Sequence, residues 1–394
     1  MNTSAAIGRV LSGLRRAGAA RVDLSRRTTV IARGLSILLI MMHNLVHVFP
    51  KVVSECEFNF NPGLNAGFFA RMRWDNHLLV YDLLSFIGWY GVPVFIFLSG
   101  FGLARRYGEG PAFDAGRFLF KNWRKLFFLM LPAVVILCGE YLLDIAAADG
   151  SVNAEMMMRM LIPLTELNGL FEKWLPVVPG VYWYLGLAFE LYVVYALAVH
   201  RRPAWVMWSV ALACYAVIYI LVTPGYLRAG YEWVEYLRHN FTGWMLPFVA
   251  GVSAARRKDF PLYGICAAFA GAVLYFIYLM DTPLGWQGTS LAAVVVVLAA
   301  ALLIERLPLL SSAMAAFGGL SAYIYIVHPV VRHLFGRYLF DLHSPYAEPT
   351  LSLCGVYFVT AVISALVYRT GSWYVSRRFS GLYLALMGRL LGHR

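Results

Sequence analysis

The sequence predicts an all-α fold, a polytopic transmembrane helical bundle of about ten spans with both termini cytoplasmic. Hydrophobic residues make up 60% of the 394 residues and charged residues only 14%, whereas soluble domains are about a quarter charged. The apolar residues fall in repeated blocks of about 20, the length of an α-helix that crosses a bilayer core. Basic residues gather at the ends of these blocks, as the positive-inside rule predicts.

Ten apolar blocks define the predicted spans, and each is followed by a charged residue, another polar residue, glycine or proline. The sixth block is short, and its edges are the least distinct. The predicted spans are Thr28–Phe49, Leu83–Ala104, Trp123–Leu143, Val181–Val199, Ala204–Val222, Phe241–Ala255, Leu262–Met280, Thr289–Ile304, Ala316–Phe335 and Leu351–Tyr368.

The placement of charge tests this count independently. If the N-terminus is inside, ten spans put most of the 33 lysines and arginines on one side, which we call the inner side. An odd number of spans would move the basic C-terminal residues outside. The net charge of +12 therefore reflects orientation and contact with anionic lipid or phosphate ligands, and no nucleic-acid partner is expected. Only nine lysines and arginines are expected on the opposite, outer side: Lys51, Arg71, Arg73, Arg159, Lys173, Arg228, Arg238, Arg332 and Arg337.

The ends and the long connections complete this topology. Residues 1–27 are rich in arginine and lack a hydrophobic core, so we expect a basic cytoplasmic segment and no cleavable signal peptide. Residues 372–394 are expected to form a basic cytoplasmic tail. The outer connections Pro50–Asp82 and Asp144–Gly180 are long enough to act as lids or binding loops for an acceptor, or they only cap the bundle.

Two histidines lie inside apolar blocks, His43 in RGLSILLIMMHN and His328 in LSAYIYIVHP. An imidazole in hydrocarbon is costly unless it faces the protein interior or a wet cavity, so both residues are functional candidates. At 1.5 Å per residue, His43 lies about 15 Å beyond Arg33, and His328 reaches a similar depth in its own span. The two rings can therefore share one cavity. The alternative is that each ring only bonds a neighbouring helix.

A metal site is not expected. His43 and His47 are four residues apart on one helix face, a spacing that can grip a metal. That segment offers no third ligand, however, and the sequence has no Cys/His spacing typical of zinc.

The inner connection between the second and third spans is dense in positive charge. Guanidinium and ammonium groups hold phosphates, and aromatic rings stack on adenine, so a phosphate-bearing ligand is one interpretation. Simple positive-inside anchoring is the other. The residues concerned are Arg105, Arg106, Lys121, Trp123, Arg124 and Lys125.

The fourth predicted span contains Trp183 and the acidic Glu190. A carboxylate about half-way through a membrane helix is costly and needs a partner. Glu190 is expected either to pair with a histidine or arginine of the reaction centre or to tie two helices together.

Five segments, taken in order, resemble the acyltransferase-3 family of bacterial integral-membrane O-acyltransferases. RGLSILLIMMH is similar to the family's first-helix arginine-to-histidine motif, and GVPVFIFLSGFGLARR to its second-helix block. NWRKLFFLMLP, YWYLGLAFELY and SAYIYIVHP resemble the basic third helix, the aromatic fourth helix and the late histidine helix. The arginine-to-histidine spacing is one residue shorter than in sugar-modifying members. The resemblance defines an acyltransferase-3-like transmembrane domain at 28–371 and also implies ten spans.

The resemblance implies transfer of an acyl group, commonly acetyl, from a cytoplasmic acyl-CoA to a hydroxyl of a saccharide or lipid-linked glycan of the cell envelope. The protein would then lie in a bacterial inner membrane. His43 is expected as the general base, with a covalent acyl-histidine as an open alternative, and Arg33 as a group that polarises the thioester or meets the donor phosphates. The residues expected to orient the base or hold substrate are Trp183, Glu190, Ser321, Tyr325 and His328.

A different class of function also fits the composition. A transporter or flippase for a glycan, lipid or acyl intermediate would be equally apolar and would perform no acyl transfer. Transporters of this size often contain inverted repeats, and no convincing repeat relates the two halves of this sequence. We therefore favour the enzyme.

Overall fold

A computed structural model of the chain describes residues 20–108, 113–148, 150–165, 167, 180–223, 227–257 and 259–390. These residues are almost entirely helical, which confirms the predicted all-α polytopic class. Eight segments are long and apolar enough to cross a membrane: Arg26–Val46, Leu79–Tyr107, Ala115–Ala147, Gly180–Val199, Ala204–Val222, Pro283–Ile304, Pro308–Tyr338 and Leu351–Val375.

We number the α-helices in chain order. Single 3-10 turns cover Ile162–Thr165, Gly180–Tyr182 and Phe241–Gly243, and a π-helical turn, Tyr195–Val199, follows the seventh helix. The α-helices are α1 (Arg26–Val46), α2 (Leu64–Arg71), α3 (Leu79–Gly88), α4 (Gly91–Tyr107), α5 (Ala115–Ala147), α6 (Ala154–Leu161), α7 (Trp183–Val194), α8 (Ala204–Val222), α9 (Leu227–Arg238), α10 (Met245–Arg257), α11 (Leu262–Tyr278), α12 (Pro283–Ile304), α13 (Pro308–Tyr338) and α14 (Leu351–Leu390).

The predicted spans agree with these helices to different degrees. The fifth span coincides with α8, whereas α5 and α13 extend beyond their predicted boundaries at both ends. The sixth and seventh predicted spans correspond to α10 and α11, which have only 13 and 17 residues, so their crossing of the membrane stays a prediction. The predicted C-terminal tail continues α14 without a break as far as Leu390.

Helix α1 lies at the centre of the bundle and packs against α3, α4, α12 and α13. Its start is set by Ser25, whose Oγ accepts from the Thr28 N–H at 2.9 Å as an N-cap. Glu305, just after α12, accepts from Ser25 Oγ at 3.0 Å and from the Thr28 hydroxyl. Helices α1 and α13 cross closely at Gly34, because this residue has no side chain and a Cβ there would overlap the Met314 carbonyl.

The second predicted span, Leu83–Ala104, is broken into α3 and α4. Trp89 and Tyr90 separate the two helices, and Gly88 and Gly91 flank them. Both glycines lie directly on α1. A Cβ at Gly88 would overlap the His43 Cβ, and one at Gly91 would overlap the Ser36 carbonyl. The break therefore occurs where glycines let the backbone approach the central helix closely.

A two-stranded ribbon, which the sequence did not predict, closes the inner side. Strand β1 (Arg21–Asp23) pairs antiparallel with β2 (Asp259–Pro261), which joins α10 to α11. Arg21 contacts Asp259 at 2.8 Å, and Arg105 of α4 contacts Asp23 at 2.9 Å. The ribbon thus fixes the segment before α1 against the inner ends of α4 and α10.

Candidate active site

His43 is buried near the outer end of α1, with 4% of its surface exposed. Its Nδ1 lies 2.8 Å from the backbone carbonyl oxygen of Ser85 in α3. A carbonyl oxygen can only accept, so Nδ1 carries the proton and Nε2 keeps the lone pair of the neutral ring. The tautomer required of a general base that acts through Nε2 is therefore set by the backbone of another helix.

The break between α3 and α4 supplies this acceptor. The last four carbonyls of an α-helix have no partner within the helix, and in α3 they belong to residues 85–88. Ser85 also donates from its hydroxyl to the Val53 carbonyl at 2.6 Å, which ties the outer connection to the same point. One residue thus holds both the His43 ring and the loop on its outer side.

His47 lies directly beside His43 at the end of α1. The two rings are stacked, with centroids 4.7 Å apart and planes 8° from parallel. The Nδ1 of His47 bonds to the His43 carbonyl at 2.9 Å. Within the part of the chain that the structure describes, no group of three or more His, Cys, Asp or Glu side chains is placed to hold a metal.

His328 in α13 is fully buried and lies within electrostatic reach of His43. Its Nδ1 donates to the Ile324 carbonyl at 3.0 Å, so its Nε2 is also the atom with the lone pair in the neutral ring. That Nε2 atom has no hydrogen-bond partner among the described residues. Buried polar atoms are almost always paired, so an unpaired one at this point indicates a place for a ligand or water.

Arg332 is a candidate that the sequence reasoning assigned to the outer side. It lies one helical turn beyond His328, and its Nη1 donates to the Asn44 carbonyl at 2.8 Å. It lies within electrostatic reach of His43, His47 and His328. The spacing of four residues from His328 in an apolar helix was the signal that could have identified it.

A cavity of about 370 Å³ lies on the inner side of these histidines, between α1, α4, α5, α7 and α13. Arg33, Arg106 and Lys125 supply three cationic groups to its wall. Ser321 and Tyr325 line it from α13, and they lie on the helix face that continues to His328. Arg33, Arg106, Lys125, Ser321 and Tyr325 are thus brought together as predicted residues of one site.

A second cavity of about 360 Å³ adjoins the first and shares Arg33, Leu98 and Gly102 with it. Arg26 and Arg105 line this second cavity, although Arg105 already contacts Asp23. The two cavities together place five cationic side chains on the inner side of the bundle. Asn122, Tyr184 and Tyr192 also line the first cavity, and no sequence pattern singled out Asn122 or Tyr184.

Three predicted donor residues line neither cavity. Trp123 packs instead beside Phe120 and Phe127 on its own helix, with ring centroids 6.0 and 5.2 Å away. Lys121 and Arg124 are likewise absent from both cavity walls. These three residues are close to Lys125 in the sequence, but of the four only Lys125 lines a cavity.

Glu190 and Trp183 act at the outer connections. Glu190 Oε2 accepts from the Phe241 N–H at 2.8 Å and ties α7 to the turn before α10, which fits the helix tie foreseen as one alternative. Trp183 stacks on Trp244 at 5.7 Å and meets Phe58 edge-on at 5.3 Å. Neither residue lines the inner cavities.

The cavity and the His43 ring are adjacent but separate. His43 is not part of either cavity wall, whereas Tyr325 of α13 lines the first cavity. The Tyr325 hydroxyl donates to the Val181 carbonyl, and its ring lies 5.7 Å from the His328 ring. Tyr325 therefore links the cavity wall to the His328 ring.

The structure is thus a helical membrane protein with two buried imidazoles and a cation-lined inner cavity. The chain belongs to the acyltransferase-3 family, because the family model described as an acyltransferase domain matches residues 31–369. The protein is thus a membrane acyltransferase. A search of curated proteins and a search of solved structures each returned no match.

Proposed function

We propose that the protein transfers an acyl group, commonly acetyl, from a cytoplasmic acyl-CoA to a hydroxyl of a saccharide or lipid-linked glycan of the cell envelope. The observation that carries this proposal is the inner cavity, which runs between cationic side chains at one end and Tyr325, beside His328, at the other. We place the protein in a bacterial inner membrane.

The cationic groups suit the donor. An acyl-CoA carries phosphates at one end and its thioester at the end of a long arm. Arg33, Arg106 and Lys125 would hold phosphate or the polar arm, since charge-assisted hydrogen bonds to phosphate are the strong ones. Arg26 and Arg105 in the adjoining cavity would meet the remaining phosphates.

His43 suits the role of general base. With Nδ1–H donated to Ser85, its Nε2 would take the proton of the acceptor hydroxyl as the oxygen attacks the thioester carbonyl carbon. The carbon–sulfur bond then breaks, the coenzyme A thiolate takes the proton, and the products are an ester and a thiol. Because His43 lines neither cavity, side chains between the cavity and the ring would have to move when the thioester reaches the histidines.

The outer connection 50–82 is our candidate for the acceptor side. Ser85 Oγ holds it at Val53, and the Asp82 carboxylate accepts from the Val53 N–H at 2.8 Å. Arg71 and Asn76 both bond to Asp82 as well, at 3.0 and 2.8 Å. A loop tied so firmly beside His43 would position a hydroxyl above the ring.

The test uses full-length protein in nanodiscs with acyl-labelled acetyl-CoA, and it follows label release and transfer to extracted envelope glycan. His43→Ala is expected to lower the rate by about 100- to 10,000-fold, the range for a positioned base. His333→Ala, which removes an exposed histidine of α13, is the matched control. Full activity of His43→Ala would overturn the assignment of the base.

The donor site is tested separately by donor affinity. Lys125→Gln is expected to raise the KM for acetyl-CoA about tenfold, because it removes a charged hydrogen-bond donor. Lys121→Gln, one turn earlier on α5 and outside both cavities, should leave the KM unchanged. If the native protein neither binds nor turns over acetyl-CoA, the transporter or flippase is favoured instead.

Mass spectrometry of the native protein during turnover distinguishes an acyl-histidine intermediate from direct transfer.

A further inference from the structure

A further cavity lies away from the acyltransferase centre. It has a volume of about 590 Å³ and is enclosed by α4, α8, α10, α11 and α12 in the inner half of the bundle. Its wall is mostly aliphatic and aromatic, and α10 contributes a hydroxyl from Ser253 and a guanidinium from Arg257. The apolar part of this lining suits a hydrocarbon chain.

Arg257 stands at the inner end of this cavity, at the C-terminus of α10. Its guanidinium lies over the Phe260 ring at 5.7 Å, and no hydrogen bond or ion pair joins it to the part of the chain that the structure describes. The neighbouring charges are used elsewhere. Asp259 contacts Arg21 at 2.8 Å, and Arg256 donates to the Arg202 carbonyl at 2.7 Å. The charge of Arg257 is therefore available to an anion.

Ser253 provides a second, independent observation. Its hydroxyl is buried and has no hydrogen-bond partner within the described residues. It lies four residues before Arg257, about 6 Å deeper along the same face of α10. The wall thus presents, in order from the inner surface, a cation, a hydroxyl donor and hydrocarbon.

We propose that this cavity binds an anionic glycerophospholipid of the inner leaflet. The phosphate would lie on Arg257, an ester carbonyl would accept from Ser253, and an acyl chain would fill the apolar cavity. The order of groups along the wall matches the order of groups in such a lipid, and the unneutralised arginine complements the headgroup charge. This site is separate from the donor cavities and goes beyond the proposed transfer reaction.

The test reconstitutes the full chain in nanodiscs of equal parts phosphatidylglycerol and phosphatidylcholine and measures retained lipid by native mass spectrometry. The native protein should retain phosphatidylglycerol selectively, and Arg257→Gln should lower that retention roughly fivefold, the effect expected for one basic group at a membrane surface. Arg117→Gln, which removes an exposed inner-side charge of α5, should retain phosphatidylglycerol normally. Equal loss in both variants, or equal retention of the two lipids, would overturn the proposal.

Two further variants test the other parts of the site. Ser253→Ala should weaken retention less than Arg257→Gln, and Ala299→Leu should block the chain by filling the cavity. Thermal unfolding of each variant shows whether the protein has folded. A folded Ala299→Leu variant that retains phosphatidylglycerol like the native protein would show that the lipid does not lie in this cavity.

Discussion

The Nδ1 atom of His43 and the carbonyl oxygen of Ser85 lie 2.8 Å apart, although 42 residues separate them in the chain. The bond exists because α3 ends at Gly88 and leaves the Ser85 carbonyl without an intrahelical partner. A helix break in the second span therefore sets the orientation of the imidazole in the first.

Gly88→Ala tests this relationship. An added Cβ would overlap the His43 Cβ and lie 2.8 Å from the Leu39 carbonyl oxygen, so α3 must move away from α1. We expect the transfer rate to fall about 100-fold, because a displacement of about 1 Å in an active site can cost that much. Gly139→Ala in α5, where a Cβ would meet nothing within 4 Å, should be neutral. Equal rates for the two variants would contradict this account.

Arg332→Gln should lower kcat and leave the KM for acetyl-CoA unchanged. The side chain lies near His43 and His328 and bonds to the Asn44 carbonyl, but it does not line the donor cavity. Loss of a charged hydrogen bond corresponds to about tenfold or more in rate. His333→Ala, at the next position and exposed, is the control. A change in KM alone would place Arg332 at the donor instead.

Arg238→Gln should lower the free energy of unfolding by about 3 kcal/mol, as expected when a buried charged group is removed from its partners. Arg238 is 1% exposed, and its guanidinium lies 4.1 Å from the Trp244 ring and 4.9 Å from the Trp286 ring. It donates to the Glu57 carbonyl at 2.7 Å and so anchors the outer connection. Burial lowers the pKa of Arg238 to about 10, which keeps it charged at neutral pH.

The measurement for Arg238 is thermal and denaturant unfolding in one detergent. Arg73→Gln is the comparison, because Arg73 and Asp75 form an ion pair with both side chains 71% exposed. Such pairs contribute less than about 1 kcal/mol. If the two variants unfold alike, Arg238 does not anchor the loop.

We expect the contribution of the outer loops to thermal stability to depend on pH through Glu348. Hydrogen bonds from Lys51 at 2.6 Å and His77 at 3.2 Å hold the pKa of Glu348 below its usual range. The unfolded value is about 4.3, so the stabilisation is complete above that pH and is lost as the pH falls through the lower folded value. The Tm difference between the native protein and Glu348→Gln should therefore begin to shrink below about pH 4.3 and close as the pH falls through the lower folded pKa. A difference that stays constant down to pH 3 would be the contrary result.

Part of the candidate site could be predicted from the sequence, because even a single polar residue in a membrane span is costly and therefore stands out as a functional candidate. His43 and His328 stand out as imidazoles in apolar helices, and both are buried near each other. The choice among the inner cations could not be made this way. Lys121, Arg124 and Lys125 lie within one turn or so of α5, and only the packing of α5 against α7 and α13 places Lys125 on the cavity wall.

The sequence by itself determined the all-α membrane class and the two deep histidines and predicted the inner and outer sides, because composition, block length and charge act on each helix separately. Only the tertiary structure decided that α3 breaks at Gly88, that the freed Ser85 carbonyl holds His43, and that Arg332 reaches Asn44. These relationships depend on backbone atoms and on the rotation of one helix against another. Neither is encoded in the local pattern of side chains.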